Sequence, residues 1–242
     1  MPLLTVTNLG TTPVLLLEGE LLEGGMQTRA LAYDLLLAPA ASAVVEVACV
    51  EQGRWHGANR HARRARNLSA SVKHGLRRED GSRQSAVWGG VERYEATLGA
   101  TASQSFADHL DRVDDSPVEA STVSVLPGQT GVIVGVAGWP VALELFGSRA
   151  ALIAHLPAIL DAARLDAALS PTIEPVPGRR ARRFADLLSG LPFQPRPAAA
   201  GDGYLLDASR PDLAARGIAA PNRAVAHISA LNLRHALLGS AG

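Results

Sequence analysis

Two short runs bring together the residue types that bind or turn over phosphorylated small molecules. The first is Cys49-Val50-Glu51-Gln52-Gly53-Arg54-Trp55. An acid, an amide, a guanidinium and an indole at one strand end could hold a nucleotide. Trp55 would stack on the base, Arg54 would hold phosphate and Glu51 would accept from a ribose hydroxyl. A strand that continued through Trp55 would put Cys49, Glu51, Gly53 and Trp55 on one face and Gln52 and Arg54 on the other. The alternative is a structural corner, with Trp55 in the core and Glu51 paired to Arg29 or Arg54. The second run, Glu18 to Arg29, places Gly19, Gly24 and Gly25 between two strands. Glycines let backbone N–H groups approach an anion, and Arg29 could grip it. Neither a P-loop nor a Rossmann fingerprint is present. The alternative here is a tight turn with Arg29 pairing Glu18, Glu20 or Glu23. Gln84, at the entrance of a helix, is the third contributor, one turn before Trp88. The ligand-binding candidates are therefore Arg29, Glu51, Gln52, Arg54, Trp55 and Gln84, with Glu51 also the catalytic candidate.

Other chemistries find less to work with. Cys49 follows Val45 and Val47 on a strand and reads as a buried thiol rather than a nucleophile. The histidines are scattered, and His227 reads as the end of a buried strand. Glu144 shares a strand face with Phe146 and could face the same cleft as Arg29. No HExxH, CxxC or clustered His/Asp pattern supplies a metal site, and no cofactor motif appears. Asp111, Asp114 and Asp115 read as a solvated acidic helix end.

The elements that must position these residues follow from periodicity. Strands are expected at Pro13–Leu17, Leu31–Leu37 and along Ser-Ala-Val-Val-Glu-Val-Ala-Cys, so that residues 31–50 form an antiparallel hairpin. Residues 54–83 carry eight arginines and read as irregular and solvated, with a weakly ordered loop over 56–81. Helices are expected from Ser82, as N-cap, to Leu98, and from Thr101 to Val113. Strands return at Thr122–Leu126, Val132–Val136 and Val141–Phe146, the last two joined by a turn at Ala137–Pro140. Ser148 caps a helix over Arg149–Leu169, which Pro157 should kink or split. A Pro-rich connection over 171–200 is interrupted by a helix at Arg180–Ser189. Strands near Tyr204–Leu206 and Ala224–Ile228 precede a short helical tail. Strands and helices in blocks predict an α+β fold, a largely antiparallel β-sheet or small sandwich with packed helices, in one domain over 1–242.

Composition bounds the function. The 242 residues are 47% hydrophobic and 19% charged, with 23 basic against 23 acidic residues. That is a globular composition without the global positive field that draws a protein to nucleic acid or anionic membranes. One cysteine excludes a disulfide framework. The N-terminus lacks the pattern of a signal peptide, and the longest apolar run is too short to span a bilayer, so the expected location is cytoplasmic. Of the 23 basic residues only Lys73 is a lysine. Such a bias points to a GC-rich, bacterial genome and weakens any single arginine as a phosphate signal.

Three stretches carry a family resemblance: Gly19–Arg29, the Cys-Val-Glu-Gln-Gly-Arg-Trp run, and Gln84 with Trp88. Together they resemble the ARG and rhodanese-phosphatase-superfamily-associated protein domain family, over roughly residues 10 to 230; ARG stands for ADP-ribosylglycohydrolase. The family carries Gln-Asn-Arg where this chain has Gln27-Thr28-Arg29, and a loop after Gly-Arg-Trp with fewer arginines. The resemblance implies work near ADP-ribose or NAD metabolism, and it supplies no catalytic residues. Three readings follow. The chain could bind a nucleotide-like small ligand such as ADP-ribose. It could hydrolyse an ADP-ribosyl or phosphoester bond, with Glu51 or Glu20 as acid/base. It could be a structural or protein-interaction module with residues 56–66 as its contact surface. Ligand, reaction and oligomeric state stay open at this stage.

Overall fold

The computed structural model describes residues 2–114 and 123–239. The fold is α+β, and every strand pairing is antiparallel. The first sheet has five strands in the order β1-β6-β4-β3-β7. They are β1 (Leu3–Thr7), β3 (Glu20–Gly24), β4 (Arg29–Leu31), β6 (Ser42–Cys49) and β7 (His61–Asn67). A two-stranded ribbon, β2 (Val14–Leu16) with β5 (Leu35–Leu37), lies beside it. Helices α1 (Ala70–Leu76), α2 (Arg83–Leu98) and α3 (Phe106–Asp114) follow. The second sheet has six strands in the order β10-β11-β12-β13-β9-β8. These are β8 (Gly131–Val136), β9 (Trp139–Phe146), β10 (Gln194–Pro197), β11 (Tyr204–Arg210), β12 (Leu213–Ala219) and β13 (Val225–Asn232); α4 (Arg149–Ala168) and α5 (Gly178–Ser189) separate β9 from β10.

The alternation read along β6 explains the layers. Val45 and Val47 point into a core formed with Leu22, Leu31 and the β2–β5 ribbon. Ala48, with Val50 just beyond the strand, packs on the opposite face against Val72, Leu76, Val87 and Tyr94 of α1 and α2. The five-stranded sheet is thus covered by helices on one side and by the ribbon on the other. The six-stranded sheet buries Leu143, Leu206, Leu213 and Ile228 with Phe184 of α5.

Several expectations are corrected. Leu31–Leu37 is two strands: the chain breaks at Tyr33 and Asp34, β4 pairs with β6, and β5 crosses to β2, so residues 31–50 are not one hairpin. The glycine run contains strand β3 itself. The arginine-rich stretch holds β7 and α1, where a weakly ordered loop was expected over 56–81. The Pro-rich connection 171–200 holds β10 as well as α5. Ser148 caps α4 as expected, its Oγ accepting from the Ala151 N–H at 3.1 Å. Pro157 does not split α4; it sits on the solvent side, where water can serve the carbonyl it leaves unbonded. Ser82 occupies the N-cap position of α2 but does not cap it, because its hydroxyl turns to Asp80. Residues 123–126 are not a strand, and Thr122 lies outside the described residues. The tail over 233–239 forms turns, not a helix. Strands β1 and β12 add to the expected set.

Candidate functional site

The sequence contains five glutamates before position 54, and each meets a partner from the arginine-rich stretch 54–83. Glu51 pairs with Arg54, Glu20 with Arg63, Glu23 with Arg66, Glu18 with Arg77 and Glu46 with Arg83. Glu18 and Glu20 are buried. A buried carboxylate stays ionised only if a cation and hydrogen bonds replace its water. The stretch that reads as solvated is therefore the source of counter-ions for the first sheet. Arg29, expected to pair with Glu18, Glu20 or Glu23, pairs with none of them; its Nη2 donates to Gln27 Oε1 at 3.1 Å.

The Cys49–Trp55 corner lies against the glycine turn. Strand β6 ends at Cys49, so the chain does not continue extended to Trp55 as expected. It bends, with the Gln52 and Gly53 N–H groups donating to the carbonyls of Gln104 and Ser103. Glu51 is 4% exposed. Its Oε1 accepts from Arg54 Nε and Ser103 Oγ, both at 2.8 Å. Its Oε2 accepts from the Thr28 N–H at 2.8 Å and Arg54 Nη2 at 2.7 Å. Burial alone would raise its carboxyl, but the bonds from Arg54, Thr28 and Ser103 outweigh that and hold it at about 2.

Arg54 completes the latch. Beyond its two bonds to Glu51, its Nη1 donates to the carbonyls of Gly25 (2.8 Å) and His56 (3.1 Å), and its Nη2 to that of Gly24 (3.3 Å). All five N–H donors of this guanidinium are used within the chain. Gly24 and Gly25 have φ of 99° and 59°, which turns their carbonyls toward Arg54. Gly57 closes the loop onto the same turn: a Cβ there would lie 2.1 Å from the Gly25 oxygen.

The other candidates divide. Gln84 reaches over from α2 and replaces a strand at the end of β6: its Oε1 accepts from the Cys49 N–H and its Nε2 donates to the Cys49 carbonyl, both at 2.8 Å. Arg29 stands in register with Cys49 on the neighbouring strand. Gln52 is half-buried. Trp55 is 65% exposed, not in the core. Downstream of it, Arg60 and Arg64 are exposed, and their side chains form no hydrogen bond or ion pair among the described residues, though the Arg64 charge acts on Glu23. Cys49 is buried, its thiol donating to the Glu51 carbonyl.

A second cluster escaped the sequence. Asp34, between β4 and β5, bonds His227 Nδ1 at 2.7 Å, and Glu144 bonds His227 Nε2 at 3.0 Å. Glu144 also takes Lys73 Nζ at 3.0 Å and Ser229 Oγ at 3.1 Å. Glu144 therefore faces this cluster and not Arg29. Burial would lower the His227 imidazole, but Asp34 and Glu144 together raise it to about 9. Burial would raise Glu144, but Lys73 and His227 hold it at about 2. Carboxylate, imidazole, carboxylate and hydroxyl could relay a proton, yet His227 is 0% exposed. The cavity beside Lys73 and Glu144 measures about 20 Å³, the size of one water. The cluster clamps the two sheets together. Its members lie at 34, 73, 144, 227 and 229, a spacing no local motif can express.

Among the described residues, no three His, Cys, Asp or Glu side chains are grouped to hold a metal ion, and no helix is long and apolar enough to cross a membrane. Comparison with curated proteins and with solved structures gives no match. A family model does match, covering residues 1–231 and so both sheets, the Glu51–Arg54 latch and the buried His227 cluster. This chain belongs to the ARG and Rhodanese-Phosphatase-superfamily-associated Protein domain family.

Proposed function

We propose that this protein is a binding module for a nucleotide-like anion, ADP-ribose or a relative of it, and not a hydrolase. The recognition surface in this reading is the exposed segment from Trp55 to Arg64, held in place by the Glu51–Arg54 latch. The observation that carries it is a division of labour within one run. Every polar atom of the Glu51 and Arg54 side chains is spent inside the chain, while the neighbouring indole is 65% exposed and the Arg60 and Arg64 guanidiniums form no hydrogen bond or ion pair among the described residues. An open indole offers a stacking face, and unpaired guanidiniums offer phosphate grips. A carboxyl held at about 2 carries no proton to give at neutral pH, which argues against Glu51 as a general acid. The family's name records an association with ADP-ribosylglycohydrolases, and that association is what favours an ADP-ribose-like ligand over other anions. The whole chain acts as one folding unit in this proposal, since Glu18 and Asp34 pair with Arg216 and His227 near the other end. A cytoplasmic setting goes with it.

Calorimetry with ADP-ribose, NAD and AMP tests the reading. Binding that Trp55→Ala or the double change Arg60→Ala/Arg64→Ala abolishes, with no product formed, supports it. Silence from all three at millimolar ligand refutes it, as does product release that depends on Glu51. Binding of a protein through residues 56–66 in the absence of nucleotide binding would favour the interaction-module reading instead.

A further inference from the structure

We propose that the six-stranded sheet carries a separate binding cleft, for a small apolar or aromatic molecule bearing one anionic group. The cleft measures about 310 Å³, at the lower end of the sizes that hold small ligands. It lies where β10, β11, β12 and β13 run side by side. Two cross-strand rows form its floor. Tyr204, Ala219 and Val225 are neighbours in register, and so are Pro195, Leu206, Gly217 and Ile228, of which all but Gly217 line the cleft. Phe193 adds a further apolar wall. Small Ala219 between larger neighbours leaves the hollow.

One charged residue borders this apolar space. Arg223 sits in the turn between β12 and β13, closed by the Arg223 N–H to the Ala220 carbonyl and the Ala220 N–H to the Ala224 carbonyl, both at 2.8 Å. Its guanidinium lies over the Tyr204 ring, 4.5 Å from the centroid. It makes no hydrogen bond or ion pair among the described residues, and neither does the Tyr204 hydroxyl. The acids on the neighbouring strands are committed elsewhere: Asp207 pairs with Arg196 and Arg216, and Asp202 accepts from the Ala38 N–H. The ring contact holds the guanidinium by its carbon and leaves its N–H donors unused among the described residues, which suits a carboxylate or phosphate oxygen pair. Arg223 also has φ +65°, a conformation an arginine seldom adopts, so the turn holds this side chain over the cleft against a local backbone preference. An apolar hollow with one unpaired cation at its edge selects a ligand with an apolar body and a single negative group.

The test uses 2-naphthoate, 2-naphthyl phosphate and the uncharged 2-naphthalenemethanol, followed by calorimetry. At least one anion should bind about tenfold or more tightly than the alcohol, the scale of one charge-assisted contact. Whichever anion binds better identifies the head group. Arg223→Ala should reduce the anions to the level of the alcohol with the melting temperature unchanged. Val225→Trp, at a position already partly exposed, should fill the cleft and abolish binding of all three. Trp55→Ala should leave all three affinities as they are, which separates this cleft from the proposed nucleotide surface. The proposal is overturned if none of the compounds binds at millimolar concentration, if the alcohol binds as well as both anions, or if Arg223→Ala changes nothing.

Discussion

Lys73 Nζ lies 3.0 Å from Glu144 Oε1, with both side chains buried between the two sheets. In a chain whose other 22 basic residues are arginines, the one lysine sits where a compact ammonium must fit against a carboxylate that already serves His227 and Ser229. Removing one partner of such a pair leaves the other charge buried and uncompensated. Lys73→Met is expected to cost about 3–5 kcal/mol, read as a lower denaturant midpoint. A change below about 1 kcal/mol would show that the cluster does not clamp the sheets.

The same cluster fixes a pH window. His227 is raised from 6.5 to about 9 in the folded chain, so the stability it contributes is complete below pH 6.5 and is lost as pH rises through 9. Glu144 is lowered from 4.5 to about 2, so its contribution is complete above pH 4.5 and is lost as pH falls through 2. Denaturant midpoints should therefore plateau between about pH 5 and 6.5 and decline on both sides. His227→Gln should remove the alkaline decline; a decline that persists in that variant would assign it to another group.

The pairing of early glutamates with later arginines makes a contrast within one stretch. Arg77 donates to Glu18 and to the Ala214 and Ser229 carbonyls, so Arg77→Ala leaves a buried carboxylate with only the longer Arg216 contact and should cost about 3 kcal/mol. Arg64, exposed and with no hydrogen bond or ion pair from its side chain among the described residues, should cost within about 0.5 kcal/mol when changed to Ala. Thermal melts of the two variants side by side check this. Equal effects would mean that the stretch acts as a solvated surface after all.

Gly57 seats the exposed loop on the glycine turn. Gly57→Ala has no room against the Gly25 oxygen and must displace one of the two. Hydrogen exchange over residues 54–60 should accelerate while exchange in α2 stays unchanged, because α2 packs elsewhere. Unchanged protection of the loop would mean that Gly57 plays no part in holding it.

What sequence could disclose was local. The alternation at Val45 and Val47, the cap at Ser148 and the α+β pattern depend on neighbours in the chain, and all were legible. Residues 61–67 were not, because an edge strand bearing His61, Arg63, Arg64 and Arg66 has no apolar alternation; Arg63 and Arg66 meet Glu20 and Glu23 across the sheet. The bend after Cys49 was hidden for a related reason: Glu51 is turned inward by bonds from Thr28 and Ser103, groups 23 and 52 residues away. The run from Cys49 to Trp55 was recognisable as unusual. Which of its residues face inward could be seen only once those partners were in place.

The proposed recognition surface is tested most directly at its one exposed indole. The chain has three tryptophans, so an amide–indole spectrum of nitrogen-15-labelled protein should show three indole resonances, with Trp55 identified by Trp55→Phe. Titration with ADP-ribose should shift the Trp55 resonance saturably and leave that of Trp88, whose indole nitrogen is buried, in place. A Trp55 resonance that does not move at millimolar ADP-ribose would contradict the account.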